Sequence, residues 1–154
     1  MQKIIVLFCI TALSIAGGCK KETPTPSISL TATQMLTGKK WQVRSSTIVA
    51  PGQPNVDLYA LSAPCTRDDF ERFDSPNTYF YEEGATKCDP GDPQTQLGIW
   101  ALSNNDTQLT VTYSGFTKSL LIDELTTTSL KTRMLELQSN GTTSVTTTTF
   151  SVIN

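Results

Sequence analysis

The sequence predicts an all-β domain: an eight-stranded antiparallel up-and-down barrel with a short helix at its N-terminal end. Three observations carry this reading. From residue 40 onward, short segments of alternating apolar and polar residues recur at close spacing. Their connections hold turn residues, among them Ser75-Pro76-Asn77, the run from Cys88-Asp89-Pro90 to Asp92-Pro93, Asn104-Asn105-Asp106, Ser114-Gly115 and Asn140-Gly141. After Gly38, no segment has helical periodicity with proper caps. Successive antiparallel strands joined by hairpins remove their exposed edges by closing on themselves, which favours a barrel. A sandwich suits the same succession, because closure is not written in the pattern.

The chain opens with Lys3 ahead of an apolar run over residues 4–15, and ends that run on Ala16-Gly17-Gly18 before Cys19. A positive start, a short apolar core and a small-residue cleavage site describe a secretory signal peptide over residues 1–18. The run is well short of the roughly 20 residues that span a bilayer. Cysteine at the first mature position makes the segment similar to the lipobox of bacterial lipoproteins, with Ala16 where Leu is usual. Cys19 is therefore the expected site of lipid attachment, and a membrane is the expected partner through that lipid. Residues 19–29, polar and proline-bearing, form the tether, extended over roughly 30 Å at ~3.1 Å per residue. Residues 30–154 form the barrel domain.

Cleavage after residue 18 of 154 leaves 136 residues, enough for one domain with a real core. Loss of Lys3 leaves 11 of the 12 basic residues against 14 acidic ones. That balance carries no basic patch of the kind a phosphate backbone requires, so nucleic acid is not an expected partner. With Cys9 in the signal and Cys19 lipidated, Cys65 and Cys88 remain, and an oxidising compartment favours their pairing. Closing that loop stabilises a fold by about 3 kcal/mol.

Within the domain, residues 30–36 predict one or two helical turns, capped by Ser29 or Thr31 and stopped by Gly38, with Met35 and Leu36 plugging one end. Strands are predicted at 41–49, 69–74, 78–83, 96–102, 107–113, 116–123, 129–138 and 142–153. Alternation puts Trp41, Val43 and Val49 on one face of the first strand. Residues 57–64 lead from a Pro/Gly/Asn-rich loop into Cys65. Phe70 with Phe73, and Met134 with Leu135, break parity and predict a bulge or boundary at each place. The threonine-rich end, 142–149, is a strand rather than a stalk, since threonine is a good strand former and no proline interrupts it.

Leu36-Thr37-Gly38-Lys39-Lys40-Trp41 resembles the opening of the lipocalin-like domains found in lipoproteins of the Bacteroidota. Cys65-Thr66-Arg67-Asp68-Asp69 with Phe73 and Cys88-Asp89-Pro90, then Gly98-Ile99-Trp100 and Asp123-Glu124-Leu125-Thr126 to Leu130, fit the same pattern over roughly residues 30–154. The resemblance implies a lipocalin-like eight-stranded barrel closed at one end by a helical turn, and an outer-membrane, lipid-anchored location on the periplasmic or cell-surface side. It implies little about activity. Two departures stand out. The usual Gly-x-Trp carries an extra residue, and no Arg or Lys follows Arg133. Arg133 or Arg44 is then left to supply the basic group that packs over the tryptophan.

Zero histidines remove the Ser-His-Asp and Cys-His systems and the commonest metal ligand. Adjacent carboxylates (Asp68-Asp69, Glu82-Glu83, Asp123-Glu124) point to opposite faces of a strand and make no ready acid/base couple. Asp68 and Asp69 are expected to accept backbone N–H bonds in a turn. No catalytic residue, no metal site and no cofactor is predicted. The candidate ligand-binding residues are Trp41, Arg44, Tyr81, Trp100 and Arg133: aromatics that would line an apolar cavity, and two cations as polar partners. Two functions follow. One is a carrier or sensor for a small apolar or amphipathic ligand. The other is a filled barrel whose loops contact an envelope protein or a glycan.

Overall fold

The computed structural model describes residues 29–154. The expected signal peptide (1–18), Cys19 and all but the last residue of the tether (19–29) lie outside the described residues. Helix α1 (Ala32–Leu36) starts at a capping box: the Thr31 hydroxyl accepts from the Gln34 N–H, and the Gln34 side chain accepts from the Thr31 N–H. The helix ends before Gly38, whose φ of +69° belongs to the left-handed region that glycine enters without strain. The Gly38 N–H then donates to the Phe73 carbonyl, tying the helical turn to the sheet.

The strands follow in chain order: β1 (Lys40–Val49), β2 (Val56–Asp57), β3 (Phe70–Asp74), β4 (Thr78–Glu82), β5 (Thr95–Ser103), β6 (Gln108–Tyr113), β7 (Phe116–Leu125), β8 (Ser129–Leu137) and β9 (Thr143–Ile153). From β3 to β9 each strand is antiparallel to the next, and β1 pairs with both β3 and β9. Eight strands thus close into a barrel, as the sequence predicts, and β2 is a two-residue strand laid on β1. The closing seam is long: nine residue pairs join β1 to β9, from Lys40–Ile153 to Val49–Val145. The β1–β3 seam is short, with pairs only at Lys40–Arg72 and Trp41–Glu71.

Beyond that short seam β1 leaves β3, and the second half of β1 pairs with β2 instead. The chain from β2 to β3 contains helix α2 (Leu58–Leu61) and a 3-10 turn (Pro64–Thr66). Both are departures from the sequence reading, which allowed no helix after Gly38. A helix of four residues is too short for periodicity to register. Its N-cap, Asp57, accepts from the Ala60 N–H at 2.9 Å. Arg67 holds the segment down, donating to the carbonyls of Ala60 and Ser62. The Cys65–Cys88 disulfide joins the 3-10 turn to the β4–β5 loop, as expected.

Parity along the strands sorts the side chains. In β1 the register shifts between Val43 and Ser45, leaving Arg44 as the extra, exposed residue of a bulge. The bulge reverses the alternation, so Val49 points outward, 42% exposed, and does not share the Trp41 face. Neither predicted parity break is a bulge. Phe73 is buried while Phe70 lies outward under Lys40; Met134 faces inward while Leu135 is exposed. Each pair simply divides between the two faces. The second real bulge, between Ile122 and Glu124, leaves Asp123 to pair with Arg133.

The barrel end beside α1 is filled. Leu36, Trp41, Phe73, Tyr79, Trp100, Leu109, Val111, Leu130 and Phe150 form one buried cluster. The two indole N–H groups are spent on backbone carbonyls, Trp41 on Leu36 at 2.8 Å and Trp100 on Asp74 at 3.0 Å. That removes the cost of burying a free donor. Phe73 meets Trp100 edge-on, with ring centres 5.9 Å apart.

Candidate functional site

The other half of the barrel is not filled. Inward positions there carry shorter or polar side chains, and they leave a cavity of about 300 Å³. Its wall is made by Val43 and Ser46 of β1, Glu71 of β3, Lys118 and Leu120 of β7, Thr132 and Met134 of β8, and Thr146, Thr148 and Phe150 of β9. Leu58 and Tyr59 of α2, with Ser62 and Thr66 after it, complete the lining where β1 and β3 part. The lining is mostly apolar, and its size is at the lower end of the roughly 300–1,000 Å³ of small-molecule sites. Ser46 and Thr148 share a hydroxyl hydrogen bond at 3.1 Å across the β1–β9 seam.

Two charged groups line this space. Glu71 follows the inward parity of Phe73, and Lys118 that of Leu120 and Ile122. Burial raises the Glu71 carboxyl above its ordinary range, although Lys118 and the nearby Tyr79 hydroxyl pull it back. Burial alone would depress Lys118, but the Glu71 charge and the Tyr113 hydroxyl hold it above its usual value. No ion pair of 4.0 Å or less joins the two. The Tyr79 hydroxyl is fully buried and has no hydrogen-bond partner among the described residues. It lies beside Glu71 without reaching hydrogen-bond geometry, and burial together with the Glu71 charge raises its pKa strongly.

An aromatic column connects this polar spot to the barrel end near the disulfide. Tyr79 lies 5.2 Å from Tyr113, and Tyr113 stacks on Tyr81 at 5.8 Å. Tyr81 donates to Asp69 at 2.6 Å, and the second Asp69 oxygen accepts from the Gly84 N–H at 3.0 Å. Asp68 accepts from the Thr86 N–H and hydroxyl, both at 2.9 Å. Burial would raise its pKa, but those hydrogen bonds outweigh it and lower it. Both aspartates accept backbone N–H bonds, as the sequence suggests, but from the β4–β5 loop 15 and 18 residues further along the chain rather than within their own turn. Among the described residues, no group of three or more metal-ligating side chains gathers.

None of the five candidate ligand-binding residues lines the cavity. Trp41 and Trp100 belong to the packed end, because their indoles reach backbone carbonyls there. Tyr81 is tied to Asp69, Arg44 is thrown out by its bulge, and Arg133 faces outward onto Asp123. Neither arginine packs over Trp41. Lys39, the extra residue in Gly38-Lys39-Lys40-Trp41, puts its ammonium 5.8 Å from that ring centre and donates to the Met35 carbonyl. Glu71 and Lys118 were missed, although a signal existed. Each is a charged residue on the same parity as apolar neighbours.

Two solved structures of bovine odorant-binding protein are similar to this chain. A bovine odorant-binding protein, a deswapped triple mutant, shares 16% identity, with 76% of this chain and 73% of that one covered and a TM-score of 0.43. Bovine odorant-binding protein in complex with a selenium-containing odorant shares 13%, with 86% and 78% covered and a TM-score of 0.45. No curated protein matches the chain. The family model described as Lipocalin-like domain matches residues 36–132, from the last residue of α1 into β8. That span is more than half of the chain and takes in most of the aromatic core and most of the cavity wall, so the chain belongs to the lipocalin-like domain family.

Proposed function

We propose that this domain is a non-enzymatic binding protein, anchored to the outer membrane by a lipid on Cys19, that holds a small apolar or amphipathic ligand inside its barrel. The observation that carries the reading is the cavity of about 300 Å³ beside a fully packed core. Well-packed interiors leave few voids larger than a water, so an unfilled half-barrel with an apolar wall is a space kept for something. Its position supports the same reading, since α2 and the disulfide-held turn lie where β1 and β3 separate. The alternative, a filled barrel that works only through its loops, accounts for the α1 end and not for this one. Membership of the lipocalin-like family is in keeping with a carrier.

The test is titration of the full-length chain with an apolar fluorophore, beside a Met134→Trp variant that fills the cavity. Saturable binding in the wild type, lost in a variant that melts normally, is the expected result. Absence of saturable binding in the folded wild type overturns the reading, and so does binding that Met134→Trp leaves unchanged.

A further inference from the structure

We propose that the cavity selects a net-neutral amphiphile whose end group both donates and accepts hydrogen bonds, donating to Glu71 and accepting from Lys118. This rests on the cavity being a ligand site, and it specifies the ligand's chemistry. Glu71 and Lys118 line the same space, yet no ion pair joins them: the Lys118 ammonium lies over the Tyr113 ring, 5.0 Å from its centre, and the Glu71 carboxyl lies beside the Tyr79 hydroxyl. The Tyr79 hydroxyl beside Glu71 is unpartnered and fully buried. A fully buried hydroxyl without a partner, beside a carboxyl and an ammonium that share one cavity without pairing, is costly unless something bridges them. The other carboxylate on the Glu71 face of β3, Asp69, already has two donors and makes no such demand.

Charge decides the class. With Glu71 ionised and Lys118 protonated, the two charges cancel across the cavity wall. A neutral end group such as an alcohol or a primary amide satisfies both and adds no net charge. An anionic end group pairs with Lys118 but lies against Glu71, and a cationic one pairs with Glu71 but lies against Lys118. In a site of low effective dielectric, that like-charge contact is felt strongly. The apolar tail has Val43, Leu120, Met134 and Phe150 to lie on. The small volume limits it to a short chain or a compact ring.

The experiment is calorimetric titration of the full-length chain at neutral pH with octanol, octanamide, octanoate and octylamine, which differ only at the end group. Octanol and octanamide are expected to bind roughly tenfold or more tighter than the two ions. Glu71→Gln leaves Lys118 alone and shifts preference to octanoate; Lys118→Met leaves Glu71 alone and shifts it to octylamine. Equal binding of all four by the wild type overturns this inference and leaves the ligand cavity standing. Failure of all four in a chain that still binds the fluorophore overturns this inference alone; failure of all four and of the fluorophore overturns both. The wild-type order persisting in both variants removes the assignment to Glu71 and Lys118.

Discussion

Replacing Cys65 and Cys88 by serine together is expected to destabilise the domain by about 3 kcal/mol. The bridge joins residues 23 apart, and the loop-entropy relation gives about 3 kcal/mol at 25 °C for a loop of that length. The folded geometry should survive the change. The same two segments are also held by Thr86 donating to Asp68 at 2.9 Å and by the Gly84 N–H donating to Asp69 at 3.0 Å. The effect therefore acts through the freed unfolded chain. For a domain of this size the melting temperature should fall by about 10 °C. Urea unfolding of oxidised wild type and of the double variant measures it directly. Because Cys65 follows the α2 segment that lines the cavity, fluorophore affinity should weaken too, while the strand signal in circular dichroism stays unchanged. A loss below about 1 kcal/mol would refute the reasoning, since the unfolded loop would then carry no extra entropy of the expected size.

Gly98→Ala should cost more than Gly115→Ala in a urea titration. A Cβ at 98 would sit 2.3 Å from the Thr112 carbonyl oxygen and force β5 from β6, at about 3 kcal/mol, whereas at 115 it meets nothing and costs only the left-handed φ, about 1 kcal/mol. Equal losses would contradict the close strand contact. Trp41→Phe should cost about 1–3 kcal/mol by stranding the buried Leu36 carbonyl, and a melt indistinguishable from wild type would show that the 2.8 Å bond contributes nothing. Lys118→Met should make stability fall more steeply as pH rises. The Glu71 pKa is raised in the folded state and loses its counter-charge, so the fold binds the proton more tightly than the unfolded chain does. Its penalty is absent below the ordinary carboxylate range and grows as pH climbs through the raised value. Parallel pH profiles of denaturation midpoint for variant and wild type would count against it.

The barrel was legible because hairpin chemistry and period-two alternation agree along most of the chain. Gly141, Ser114-Gly115 and the run at 104–106 take positive φ, the conformation that their residue types allow. Thr31 and Gly38 frame α1 for the reasons their types suggest. What failed was parity across a bulge. Nothing about Arg44 marks it as the extra residue, because the bulge follows from matching β1 to β9, a pairing across more than 100 residues of chain. One such shift was enough to turn Val49 outward and to bring Ser46 to the cavity wall.

The site was less legible, and for a different reason. Aromatic residues were sought as lining, but large side chains are what fill a barrel, and here they fill the end beside α1. A cavity exists where inward positions are too small to meet, and in this chain those positions are Ser46, Thr132, Thr146 and Thr148. Thr146 and Thr148 belong to a segment that reads as plain polar β-strand, because alternate threonines face solvent and cavity alike. A charge at an inward position is the sharper sign. Lys118 on the parity of Leu120, and Glu71 on that of Phe73, would be expensive in a filled interior and are tolerable only beside space or beside each other. Searching strand faces for the residue that packing should exclude, rather than for the residue that packing favours, finds the cavity of this barrel from its sequence.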